Sequence, residues 1–99
     1  MVPHEKTALL LVLLLQGSAG NWIGTISDEH CGAKHVQGGT VDQKCVTMCI
    51  RGGASAVFVV TGKAYRIDNP DAIKCCLGMK VEISGKVAGN TIHVDSVKE

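Results

Sequence analysis

Cys31, His35, Cys45 and Cys49 stand in the pattern C-x3-H-x9-C-x3-C, directly after Asp28-Glu29-His30. Thiols and imidazoles this dense in a short chain either hold a metal ion or form a disulfide framework. Cys45 and Cys49 fall one turn apart on a predicted helix, with Cβ atoms about 5–6 Å apart. A disulfide needs Cβ atoms near ~3.8 Å, so bonding these two together would distort the helix. A metal ion at ~2.3 Å from each sulfur spans the same gap without distortion.

Four readings follow from these residue types. In the first, the cysteines staple a small binding or structural domain. Cys31 pairs with Cys49 or Cys45, and the other helix cysteine pairs with Cys75 or Cys76. One cysteine is then spare and could dimerise the protein. In the second, Cys31, His35, Cys45 and Cys49 form a Cys3His set that suits Zn or Cu, with His30 and Asp28 in reserve or orienting a ligating imidazole. In the third, the adjacent Cys75-Cys76 pair, with Lys74 beside it, works as a thiol-redox site. No C-x-x-C is present to support that role. In the fourth, Phe58 and Tyr65 stack on bases of single-stranded nucleic acid, near Arg51, Lys63 and Arg66.

Charge argues against the fourth reading. The 99-residue chain has ten basic and nine acidic residues, a net charge of +1, and only three aromatics. That balance offers no electrostatic footprint for nucleic acid or an anionic membrane. Hydrolytic and phosphate-binding constellations are also missing from the sequence. The serines lack a nucleophile-elbow context, Asp28, Glu29, Asp68 and Asp71 read as turn and cap residues, and Gly38-Gly39 lacks the Lys-Ser/Thr of a P-loop. The expectation is a non-enzyme without a cofactor, with Zn or Cu as the alternative.

The elements that must position these cysteines follow an apolar leader. His4 and Lys6 precede the run from Thr7 to Leu15, and Gly17 and Ala19 place small residues before a cleavage site after Ala19. The run is far shorter than the ~18–20 residues needed to span a bilayer, so no membrane anchor is expected. This predicts a signal peptide over 1–19, a single domain over 20–99, and a secreted or periplasmic location whose partner is an envelope ligand or protein. The leader would take Glu5 and Lys6 with it, leaving the charge at +1. A domain of this size gains from staples, and an oxidising compartment would form them.

Alternation predicts a first strand over Trp22–Ile26, ending near Ser27-Asp28, followed by a polar loop to Gly39. Thr40-Val-Asp-Gln43 matches a capping box, and the helix should run to about Arg51, where Gly52-Gly53 stop it. Its expected buried stripe is Val41, Cys45, Met48 and Cys49. Ala56–Thr61 and Ala64–Ile67 form a hairpin turning at Gly62-Lys63. Asn69 caps a short helix with Pro70 at its first position, ending around Cys75-Cys76. Lys80–Val87 and Thr91–Val97 are the last strands. Gly85 marks a bulge, and His93 points away from the face of Ile92 and Val94. The fold class is mainly β, a small five-stranded barrel with one helix between strands 1 and 2 and a short helix before strand 4.

The closing pattern Val81-x-Ile83-x-Gly85-x-Val87-x4-Ile92-x-Val94-x2-Val97 resembles the last two strands of many OB-fold domains. The longer pattern Trp22-x-Gly24-x-Ile26-Ser27-Asp28-x2-Cys31-Gly32-x2-His35, then Cys45-x3-Cys49-x3-Gly53-Ala54-x2-Val57-Phe58-Val59, is similar to an uncharacterised family of small exported bacterial proteins. The resemblance covers residues 20–97 and implies an OB-like barrel and export, with no established activity. The chain departs from that family at Cys75-Cys76, where a non-cysteine, often His-bearing stretch is expected.

Overall fold

A computed structural model of the chain describes residues 18–32 and 40–99; the side chains of residues 40–42 lie outside that description. The leader up to residue 17, the capping-box side chain of Thr40, and His35 are therefore outside the described residues. Five strands and two helices follow in order: β1 (Ser18–Asp28), α1 (Thr40–Arg51), β2 (Ala56–Val60), β3 (Lys63–Ile67), a short 3₁₀ helix (Pro70–Cys76), β4 (Lys80–Ala88) and β5 (Thr91–Lys98). The strands close in the order β1-β2-β3-β5-β4. This is the five-stranded, OB-like barrel expected from the sequence. No helix among the described residues is long and apolar enough to cross a membrane.

β1 is the hinge of the design. Its first part, Ser18 to Thr25, pairs antiparallel with β4, and its last part, Thr25 to Asp28, pairs with β2. The strand is longer than alternation alone predicts. Small and polar residues from Ser18 to Asn21 are recruited because β4 offers partners as far as Val87. Ser18 and Ala19, just ahead of the expected cleavage site, thus belong to the strand in the full chain. Residues 24–28 are buried on both faces, so the usual in–out alternation is lost where α1 comes against the barrel.

The core is aliphatic with one aromatic. Ile26, Phe58, Ile67, Ile73, Val81, Ile83, Ile92 and Val94 form a single cluster that also takes in Ala56 and Cys76. Phe58 is fully buried, which removes it as a base-stacking platform. Its cross-strand partner Tyr65 is half-buried, and the Lys63 ammonium lies 4.8 Å from the centre of the Tyr65 ring, a cation–π contact.

Three local expectations need correction. The β2–β3 turn is Thr61-Gly62, not Gly62-Lys63. Both residues have positive φ, and Val60 pairs with Lys63 across them, the geometry of a two-residue hairpin turn. The inward line of α1 is also displaced. Val46 is fully buried and Ile50 packs on the core, whereas Met48 is 72% exposed. The inward direction runs between the Cys45–Cys49 and Val46–Ile50 rows, which leaves Met48 on the solvent side. The helix stops where expected, with Gly53 at φ +105°.

Asn69 is the third correction. Its side chain makes no cap hydrogen bond to the short helix. Instead its Nδ2 donates to the Val94 carbonyl at 2.7 Å, and its Oδ1 accepts from the Val94 N–H at 2.9 Å. The parallel β3–β5 ladder ends at the Ile67–Ile92 pair, with Asp68 N–H adding one bond to the Ile92 carbonyl. The Asn69 amide, carrying one donor and one acceptor, takes the place of the next strand residue and extends this seam. Asn69→Ala leaves both Val94 groups without that partner and is expected to cost about 2 kcal/mol. Asn69→Asp, which keeps the acceptor only, should fall between it and the native chain in urea denaturation.

Candidate functional site

The site begins where β1 turns back. The Asp28 side chain is fully buried, and its Oδ1 accepts the backbone N–H groups of His30 and Cys31, each at 3.0 Å. Ser27 Oγ donates to the Gly32 carbonyl at 2.7 Å. Together these bonds fold Glu29–Gly32 into a fixed turn and set where Cys31 sits. Asp28 is thus the turn residue the sequence predicts, with the added role of aiming a thiol. Its neighbour Glu29 ties the same corner to β2. The Glu29 carboxylate accepts from the Ser55 N–H, and Glu29 N–H donates to the Ser55 carbonyl at 2.9 Å. The Ser55 hydrogen bonds hold the Glu29 carboxyl below its ordinary range, helped by the charges of His30 and Arg66.

α1 brings the other thiols. Cys45 and Cys49 are half-buried on it. Burial pushes the Cys49 thiol up from its ordinary range, and the nearby Asp28 charge, Cys45 and Cys31 push it the same way. Cys31 thus follows β1 in a turn set by Asp28, while Cys45 and Cys49 lie half-buried on α1, the helix that packs against β1. In neutral water Cys49 stays protonated, so it is a slow nucleophile.

His30 is exposed. Among the described residues, no group of three or more His, Cys, Asp or Glu side chains is placed to hold a metal ion. The Cys3His reading includes His35, which lies outside the described residues. Cys31, Cys45 and Cys49 carry thiols, while Cys75 is bonded to Cys76. This corrects the expected link from a helix cysteine to the Cys75-Cys76 pair. The two helices are parted by a cleft of about 350 Å3, whose lining includes Ile50, Ala54, Ala56, Ile67, Ile73 and Leu77.

Sequence reasoning missed that cleft. Its walls come from α1, the α1–β2 connection, the start of β2, β3 and the short helix, and no single periodicity reveals a surface built from five places. It is mostly apolar, with Ser55, Asp71 and Lys74 as its polar members. Asp71 and Lys74 are ion-paired at 2.9 Å. On β5, His93 is exposed as predicted, with Nδ1 2.7 Å from Asp68 Oδ1.

Fold and site together define a small OB-like barrel with half-buried cysteines on its helix and in the turn after β1, and an apolar cleft beside that helix. Comparison with family models, curated proteins and solved structures finds no match to this chain.

Proposed function

We propose that the protein is an exported, cysteine-stapled binding domain of the cell envelope, with the apolar cleft between its helices as the ligand seat. The observation that carries the stapled part is the half-buried setting of Cys31, in the turn after β1, and of Cys45 and Cys49 on α1, the helix that packs against β1. In an oxidising compartment, Cys31 closes a disulfide to Cys45 or Cys49 and one thiol remains. The staple has a clear physical purpose. Of the described α1 side chains only Val46 is fully buried, so the helix has little hydrophobic hold on the barrel. Closing a loop of ~15 residues contributes about 3 kcal/mol in the chain-entropy model. The cleft has the size and apolar character of a small-ligand site, with a few polar groups to orient what enters.

The test is thermal unfolding of protein exported by a bacterial host and purified without reductant. Reductant should lower the melting temperature by more than about 10 °C, given the size of that loop. Cys31→Ser should melt low with or without reductant, and a chelator should change nothing. Equal melting of the wild-type protein with and without reductant would rule out the staple. A chelator-sensitive fold, with zinc or copper carried in the native mass, would instead establish the metal reading.

A further inference from the structure

We infer that Cys75–Cys76 is a second, independent thiol site, a disulfide that exchanges with low-molecular-weight thiols. Three observations carry this. First, the bond joins neighbours in sequence, so it fastens no two elements together. The stabilisation a disulfide gives grows with the loop it closes, and here there is almost none to close. A bond that does not hold the fold together is free to open without loss of the fold. Second, the two sulfurs belong to unlike surroundings. Cys75 is exposed, whereas Cys76 is 1% exposed and belongs to the core cluster. An incoming thiolate therefore meets Cys75. Third, Lys74 is exposed beside the pair, held by Asp71 at 2.9 Å. The Asp71 carboxylate offsets the Lys74 charge, so this pair adds no net charge beside Cys75 that would repel an anionic thiolate.

The exchange balances with two small thiols and no other reagent. The first thiolate attacks Cys75 Sγ, forming a mixed disulfide. The Cys75–Cys76 bond breaks, and its electron pair goes to Cys76 Sγ, which takes up a proton. The second thiolate attacks the sulfur of the bound small thiol and releases Cys75 as a thiolate, which is then protonated. Two electrons pass to the pair, and the two small thiols leave joined as their disulfide. Reduced Cys76 stays in the core as a small apolar side chain, and reduced Cys75 faces solvent.

The experiment uses reduced glutathione on the folded, exported protein, followed by N-ethylmaleimide and peptide mapping. Without glutathione, the peptide carrying Cys75 and Cys76 should take no maleimide. After glutathione it should take two, and in Cys31→Ser, which has no staple to open, the same treatment should move the melting temperature by less than about 2 °C, since no loop is opened. Oxidised glutathione should form a mixed disulfide with Cys76→Ser, at Cys75, and lose that adduct almost completely in Cys75→Ser. Labelling of both thiols before any reductant is added overturns the proposal. So does a pair that glutathione reduces only after denaturant unfolds the chain. Failure of the staple is read separately, in Cys31→Ser, so the two conclusions stand or fall apart.

Discussion

Alanine at position 24 is expected to destabilise the barrel by about 3 kcal/mol and to lower its melting temperature by more than about 10 °C. Gly24 lies where β1 passes from β4 alone to sharing its edges between β4 and β2. A Cβ there would sit 2.3 Å from the Val59 carbonyl oxygen and 2.9 and 3.0 Å from the Phe58 ring. Neither neighbour can give way cheaply. Val59 is held in register against Thr25 and Ala64, and Phe58 has no exposed surface. A surface glycine-to-alanine change in a strand usually helps slightly, by removing freedom from the unfolded chain, so a large loss isolates the close approach as the cause. Urea denaturation of Gly24→Ala against the native chain measures it. An unchanged midpoint would show that β1 and β2 do not meet as closely as described.

Gly85→Ala should lose a similar amount, about 3 kcal/mol, for a different reason. The β4–β5 register shifts between Ser84 and Gly85, and a Cβ on Gly85 would lie 2.1 Å from the His93 carbonyl oxygen. That oxygen belongs to the opposing strand, so relief requires the two strands to part and the bulge to be lost. Gly52→Ala is the control. Its Cβ would meet nothing closer than 3.4 Å, and its effect should stay within about 1 kcal/mol. Equal effects at all three positions would remove the packing explanation and leave only a general intolerance of substitution.

These two glycines mark the boundary of what the sequence makes legible. Gly85 breaks a strict alternation between Ile83 and Val87, and such a break in a strand signals a bulge. Gly24 breaks nothing, because Trp22-x-Gly24-x-Ile26 is as regular with glycine as with valine. Its role exists only once β2 has come across β1, and no local pattern encodes that. Asn69 misled for a related reason. Asn-Pro-Asp is a strong local signal for a helix start, yet the unfilled backbone positions of Val94, distant in sequence, claimed the amide first. Met48 was placed inside because i, i+3 and i+4 spacing defines a stripe without saying which neighbouring stripe the barrel will cover. The helix that carries Cys45 and Cys49 and the turn at Asp28 ahead of Cys31 were legible because capping and turn signals are local. The adjacency of Cys75 and Cys76 was plain too, but no local pattern says whether each will seek a distant partner or its neighbour.

The division of β1 between two partners also dictates when the molecule can come into being. The first strand meets most of its partners in β4, close to the other end of the chain, and β4 in turn needs β5 before the ring can close. Contacts so remote in sequence must bear their loop-closure entropy before any packing rewards them. The ring therefore cannot close until both β4 and β5 have been made. For the exported domain proposed here, that delay is useful. A chain bound for a membrane-crossing channel must arrive there unfolded, and a ring that closes only with β4 and β5 leaves the growing chain open during synthesis.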